Sequence, residues 1–366
     1  MAAEGHVLFL QKRSSRAGAQ TSLARATAEL KGLRPAVLAG GEGWLTNSLR
    51  EQDTPVQVTT FPSPRSLSAR IFGLRRFAQR SIHVLAEAGI RPRIVVANDH
   101  QECPLALALA AELGGLPVLG LLRSGGTTER DFRKYLCDRC GGLAAVGESL
   151  RQRVETWTGR QPVLLQEGFP EAAFFPPIQI PPSFPNRVLI IGTADPAKGF
   201  PDFIEALDRI EQHHPGFPAM ACDFTYHQPS GAEDLLRQPR RTKLKFLGRV
   251  DGLSSMVRNY SLVIHPSRAE AFGMAPVEVM LAGVPTLAST TGVIGSLGLP
   301  AGWQFPPRDP IALAERIVHL WKHWPDHGLD LTVVQDEIRR HYHIRDSVAP
   351  LRQELERLAP LSPGRP

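Results

Sequence analysis

The acids Glu270 and Glu278, with seven residues between them, lie in the run HPSRAEAFGMAPVEVMLAGVPTLA (265–288), which reads as a strand end, a loop and a short helix. Paired carboxylates can divide acid and base work across a glycosidic bond, but only when they stand about 5–9.5 Å apart. On one continuous helix these two would be separated by about 12 Å of rise. Pro276 predicts instead that a helix opens between them, with its body over Val277–Leu281, because the missing N–H of proline costs nothing in a first turn. Glu278 then falls in the first helical turn and Glu270 in the loop before it, so the two acids are expected to hold different parts of one ligand. The plainer alternative is that Glu278 only complements the helix dipole. Amides near Gly273, Met274 and Ala275 would face outward at the positive end of that helix, a ready site for an anion.

A cation to match stands in Gly192-Thr193-Ala194-Asp195-Pro196-Ala197-Lys198-Gly199-Phe200, directly after an apolar strand. Lys198 is the only cation of this loop and is suited to a phosphate as a point charge. A solvated loop lysine is nevertheless the commoner outcome for Lys-Gly ahead of a helix. The loop is not a phosphate loop of the Gly-x4-Gly-Lys-Ser/Thr type, since no hydroxyl follows the lysine and the glycine spacing is wrong. Other constellations fall away. Cys137-x2-Cys140 has no second pair at zinc spacing, no Gly-x-Ser-x-Gly elbow occurs, and Gly40-Gly41-Glu42-Gly43 lacks the third glycine of a dinucleotide fingerprint. No metal is therefore expected.

The elements that must position these residues alternate between strand and helix. In the first half, His6–Gln11, Pro35–Ala39, Val56–Thr60, Arg93–Ala97, Pro117–Leu122 and Gly142–Val146 read as strands with helical segments interleaved. Prolines 176, 177, 181, 182 and 185 then break the chain, and the alternation restarts with strands at 187–191, 244–247, 262–265 and 286–288. This pattern predicts right-handed βαβ units and parallel sheets covered on both faces. The expected domains are 1–175, a linker at 176–186, and 187–345, with a terminal helix over 346–366 packing back on the first domain. Ligands in such sheets sit outside the carboxyl ends of the strands, so two facing sets of carboxyl ends would define a cleft.

Composition narrows the class. The chain has 366 residues, 42% hydrophobic and 21% charged, which excludes wholesale disorder and suits two domains. Four cysteines are too few for a disulfide framework, so a reducing compartment is expected. Met1–His6 leads into a short apolar run without the features of a secretion signal. The longest apolar stretch, 104–122, is interrupted by Glu112, Gly114, Gly115 and Pro117, which argues against a membrane span. Formal net charge is +6, and between Phe61 and Arg93 seven arginines stand against one acid, Glu87. Leu67, Ile71, Leu74, Phe77 and Ala78 give that segment helical periodicity, so a basic amphipathic helix over 65–89 is expected, either solvated or resting on an anionic membrane. No aromatic platform accompanies the arginines, which speaks against nucleic acid.

The stretch IIGTADPAKGFPDFIEAL (190–207), followed by PSRAEAFGMAPVEVMLAGVPTLAS (266–289), resembles the nucleotide-sugar half of the glycosyltransferase family 4 group. Arg16–Leu23 is similar to that family's Gly-rich loop after the first strand, and Ala145–Leu150 with Gln166–Phe169 to its domain-junction landmarks. The resemblance implies an α/β architecture of two facing Rossmann-like domains, the GT-B fold, with an interdomain cleft. It also implies a metal-independent retaining enzyme without a cofactor, and the basic helix in the first domain leads to the expectation of a cytoplasmic protein peripheral to the membrane. A sugar would pass from a nucleoside diphosphate sugar to a saccharide or lipid-linked saccharide, as in cell-surface polysaccharide or lipopolysaccharide synthesis. On this pattern Lys198 and Gly192 belong to the diphosphate loop, Glu270 lies beside the transferring sugar, and the amides of Phe272, Gly273 and Met274 serve its hydroxyls or the phosphates. Glu278 would take the ribose hydroxyls, Gly18 would admit the diphosphate to the first loop, and His100, or Gln101 in an equally good alignment, would stand near the sugar.

Two departures from the family pattern stand out. Thr193 occupies the place of an arginine that pairs with the lysine on the diphosphate, for which Arg249, Arg268 and Arg123 are candidate substitutes. The Gly-x-Gly after the second strand of this half is replaced by Cys222-Asp223-Phe224-Thr225-Tyr226-His227. A binding subunit without transferase activity and a sugar-nucleotide epimerase are the rival readings of the same fold.

Overall fold

In the computed structural model, which describes residues 5–62, 67–250, 252–326 and 328–360 (of 67–72 the backbone alone), the strands form two parallel sheets. The first sheet contains β1 (His6–Gln11), β2 (Pro35–Ala39), β3 (Val56–Val58), β4 (Pro92–Ala97), β5 (Val118–Leu122), β6 (Gly142–Val146) and β7 (Val163–Leu165). Its order is β3-β2-β1-β4-β5-β6-β7. The second contains β8 (Arg187–Ile190), β9 (Ala221–Phe224), β10 (Lys243–Phe246), β11 (Val263–His265), β12 (Thr286–Ser289) and β13 (Gln304–Phe305), in the order β10-β9-β8-β11-β12-β13. In each sheet the order reverses beside the first strand, at β1/β4 and at β8/β11. The loops leaving the carboxyl ends of those strands are where such a sheet opens a binding crevice.

The apolar run of β8 is explained by burial on both faces. Val188 and Ile190 pack into a cluster with Phe203, Leu207 and Ile317, while Leu189 and Ile191 face Val263, Val279 and Val284 on the other side. A strand covered on both faces loses the alternation of a half-exposed one. Each fully buried Val, Leu or Ile contributes about 1.5–3 kcal/mol, enough for these few residues to fix the register that carries the loop at 191–199.

The chain divides into Met1–Phe169 with Tyr342–Pro366, and Pro170–His341. The first crossing thus comes earlier than residue 175, and the return earlier than 346. The Pro-rich segment is not a free linker. Phe175 N donates to Leu281 O at 2.8 Å, Ile178 N to Gly283 O at 2.9 Å, and Trp324 Nε1 to Pro181 O at 2.9 Å, so prolines without N–H groups alternate with residues that tie the segment to the second unit. At the return, Phe169 N donates to Tyr342 O and Ile344 N to Phe169 O, and the helix Ile344–Leu358 packs on β7 and on the helix Gly18–Glu29.

Several elements differ from the sequence pattern. β7 and β13, of three and two residues, are too short for an apolar run to show. Cys222–Phe224 are not a loop but most of β9. Asp223 hides that strand, because a buried acid interrupts the run, yet its Oδ2 accepts from Arg187 Nε and from Tyr260 Oη, each at 2.7 Å. The basic helix spans Leu67–Glu87, with Phe77 and Ala78 buried and Arg75, Arg76 and Arg80 exposed. Arg65 and the side chains of Leu67, Arg70 and Ile71 lie outside the described residues. Among the described residues no helix is long and apolar enough to cross a membrane.

Candidate active site

The loop leaving β8 is built to present Lys198. Asp195 caps a single turn at Pro196–Lys198, its carboxylate accepting from Ala197 N at 2.8 Å, and Lys198 N donates to Asp195 O at 2.8 Å. Gly199 ends the turn with φ 77°, and a Cβ there would stand 1.7 Å from Pro266 O. Only glycine allows this backbone to close on the loop that leaves β11. The two loops are then stitched together. Arg268 N donates to Ala197 O at 2.8 Å, and Ser267, whose carbonyl is bonded by Ser289 Oγ at 2.6 Å, reaches the same Ala197 oxygen at 3.3 Å.

That stitching brings Lys198 and Glu270 together across the switch point. Lys198 Nζ donates to Glu270 Oε1 at 2.8 Å, with 25% of the lysine side chain and 15% of the glutamate exposed. A third group, overlooked in the sequence, meets the same oxygen. His265, the last residue of β11, sets its Nε2 at 3.2 Å from Glu270 Oε1, and only 2% of its side chain is exposed. Burial by itself pushes the Glu270 carboxyl up, but His265 and then Lys198 outweigh it and hold the group at about 2. The carboxylate is therefore ionised at any physiological pH.

The short helix opens earlier than Pro276. It spans Met274–Leu281, capped by Gly273 in a left-handed turn with φ 92°. That turn starts the helix at once and leaves Pro276 in the third position, where its missing N–H is still harmless. Gly273, Met274 and Ala275 remain the residues whose amides begin the helix. Glu278 moves to the second turn, so it does not serve as a first-turn acid; it is partly exposed. Phe272 is buried, and its carbonyl accepts from Val293 N at 2.7 Å, pinning the loop from β12.

The three candidate arginines have different fates. Arg268 forms a two-bond pair with Asp202, at 2.7 and 2.5 Å, and Arg123 in the first unit is buried on Glu167, Asn98 and Ser22. Arg249 is exposed just beyond β10, and Thr193 and Gly192 line the start of the loop after β8, Thr193 exposed.

In the first unit the same edge of the sheet is polar. His100 begins a turn after β4, 6% exposed, with Nδ1 at 2.5 Å from Asp99 Oδ1 and its ring edge-on to Tyr135. Gln101 beside it is exposed. Gly18 is the first residue of the helix Gly18–Glu29 rather than part of the loop before it. Glu102, also overlooked, accepts from Lys12 N at 3.0 Å, and burial pushes its carboxyl up to about 8, so it is protonated at neutral pH. His100 and Gly18 belong to one unit, Lys198, Glu270 and Glu278 to the other.

Residues 185–323 match the family model described as Glycosyl transferases group 1. Glycogen synthase of Mycobacterium tuberculosis is 28% identical over 37% of this chain and 34% of its own length. An uncharacterized glycosyltransferase of Methanocaldococcus jannaschii is 28% identical over 37% of this chain and 38% of its own length. The chain thus spans little more than a third of the length of the curated relatives it matches. HepE from Anabaena, solved in complex with UDP-glucose, superposes with a TM-score of 0.75 at 18% identity, covering 96% of this chain and 100% of that one. The lipopolysaccharide outer core galactosyltransferase WaaB gives 0.65 at 14% identity, covering 96% and 99%. The two parallel sheets and the likeness along nearly the whole chain show the GT-B fold of two Rossmann-like domains, within which residues 185–323 match the Glycosyl transferases group 1 model.

Proposed function

We propose that the protein is a retaining, metal-independent glycosyltransferase of the family 4 type. It moves a sugar from a nucleoside diphosphate sugar to a saccharide or lipid-linked saccharide in cell-surface polysaccharide or lipopolysaccharide synthesis, on the cytoplasmic side of a membrane. The observation that carries this reading is the meeting of Lys198 and Glu270 at the β8/β11 switch point, beside the helix that opens at Met274. An ammonium, a set of helix-start amides and an ionised acid at one sheet edge suit a diphosphate joined to a polyol. The complexes of Anabaena HepE with UDP and UDP-glucose support a uridine diphosphate sugar as the first donor to try.

On this reading Lys198 and the amides of Gly273 and Met274 stabilise the charge that grows on the leaving diphosphate. Glu270, beside Phe272, holds the sugar hydroxyls, Glu278 the ribose, and Gly192 and Thr193 leave room for the phosphates. The bond from the anomeric carbon to the phosphate oxygen breaks, the acceptor oxygen bonds the same face, and the acceptor proton passes to the departing phosphate. On the family pattern His100 would orient the sugar. Of the other candidate cations, Arg268 is engaged by Asp202 and Arg123 by Glu167.

A second reading, a GT-B-like subunit that binds sugar nucleotide without turning it over, is favoured by Thr193. Transfer and hydrolysis measured with uridine, guanosine and adenosine diphosphate sugars, with and without EDTA, separate the two. Turnover of one donor that survives EDTA supports the enzyme, binding without turnover favours the subunit, and no binding of any donor removes both. Glu278→Ala should weaken donor binding by about 1–3 kcal/mol, the worth of a hydrogen bond to a charged group.

A further inference from the structure

We propose that His265 is a positioning residue for Glu270, keeping the carboxylate oriented from β11 while Lys198 leaves it for the diphosphate of the donor. The proposal rests on the donor reading above for the departure of Lys198, but not for the hold of His265 on Glu270.

Three observations carry it. Both His265 Nε2 and Lys198 Nζ reach the same oxygen, Oε1, and no described residue donates to Oε2. That leaves one oxygen open to a ligand and makes the two donors partners in one task. The donors also differ in freedom. His265 is buried at the end of a strand that pairs on both sides, with β8 and with β12, whereas Lys198 is a partly exposed, long side chain on a single turn. Lysine can swing and histidine cannot. Finally, His265 Nδ1 is buried and has no hydrogen-bond partner among the described residues. The bond to Glu270 is thus the one polar contact that rewards an imidazole at this place. An apolar residue would pack into a strand end without leaving a ring nitrogen unpaired.

The chemistry follows. A mostly buried carboxylate that loses one of two donors must keep the other or be left desolvated and prone to protonation. To donate to an ionised carboxylate, Nε2 must carry the proton. The titratable groups facing Glu270 are His265 from β11 and Lys198 from the loop after β8. Arg268, on the loop of Glu270 after β11, is engaged by Asp202.

The test follows the Glu270 carboxyl by carbon NMR through a pH titration, assigned with Glu270→Gln, in the wild type, His265→Leu and His265→Gln, each with and without UDP. His265→Leu is expected to raise the Glu270 titration by about one to two pH units, the effect of removing one close donor, and His265→Gln to restore part of it through its amide N–H. In the wild type, saturating UDP should leave Glu270 ionised at neutral pH. An unchanged titration in His265→Leu overturns the inference, as does a nitrogen spectrum of the wild type placing the imidazole proton on Nδ1 alone. That second measurement needs no variant to fold. If UDP fails to bind while His265→Leu still shifts Glu270, the donor reading fails and the positioning role stands.

Discussion

Replacing Glu270 with glutamine removes a carboxylate that the fold keeps ionised, and it should abolish one pH-dependent part of the stability. The ordinary glutamate value of 4.5 falls to about 2 at this site. At about 1.4 kcal/mol per pH unit, that gap corresponds to about 3 kcal/mol of stability at neutral pH. With only 15% of the side chain exposed, solvent screening takes little from it. A depressed folded value places the stabilisation above the unfolded pKa. It is complete above about pH 5 and is lost as the pH falls from 4.5 toward 2. The wild type should therefore lose about 2 kcal/mol more than Glu270→Gln between pH 7 and pH 3, other carboxyls cancelling in the comparison. Urea denaturation followed by tryptophan fluorescence measures it. A Trp44→Phe, Trp157→Phe background leaves Trp303, Trp321 and Trp324, all in the second unit, to report. Parallel stability curves for the two proteins would refute the ion cluster.

Gly199→Ala forces a left-handed residue and a Cβ into the Pro266 carbonyl, so a loss of at least about 1–3 kcal/mol is expected, and an unchanged melting temperature would contradict the loop geometry. Arg123→Met strands Glu167 in the first unit, with both side chains 7% exposed, and should cost about 3–5 kcal/mol in denaturation. Adding Glu167→Gln should recover part of that loss; if it does not, the pair is not the cause. For the membrane reading, vesicles rich in phosphatidylserine should sediment the protein at low salt, and Arg75, Arg76 and Arg80 changed to Gln should weaken that binding. No sedimentation of the wild type removes the membrane contact.

The parallel α/β plan was legible because β1, β4 and β8 are runs of buried apolar residues that local pattern alone reveals. So were Lys198 and Glu270 as separate candidates, each standing just past a strand. Their ion pair was not, because it joins residues 72 positions apart in sequence and depends on β8 and β11 lying side by side, a consequence of strand order rather than of spacing. His265 passed as the last residue of a strand, since nothing local says that its ring turns toward a residue in the next loop. The helix start was misjudged because proline is a louder signal than the left-handed glycine three residues before it. β9 was misjudged because the partners of Asp223, Arg187 and Tyr260, are distant in sequence. For the same reason the pairing of Arg268 with Asp202, which takes it away from a diphosphate, emerged only from the folded chain.

The most direct test is calorimetric titration of UDP and UDP-glucose into the wild type and into Lys198→Ala at two salt concentrations. Saturable binding to the wild type is expected, weakened about 10- to 150-fold in Lys198→Ala by the loss of one charge-assisted hydrogen bond and less sensitive to salt in the variant. Equal affinity in both proteins would mean that the ammonium after β8 does not grip the nucleotide.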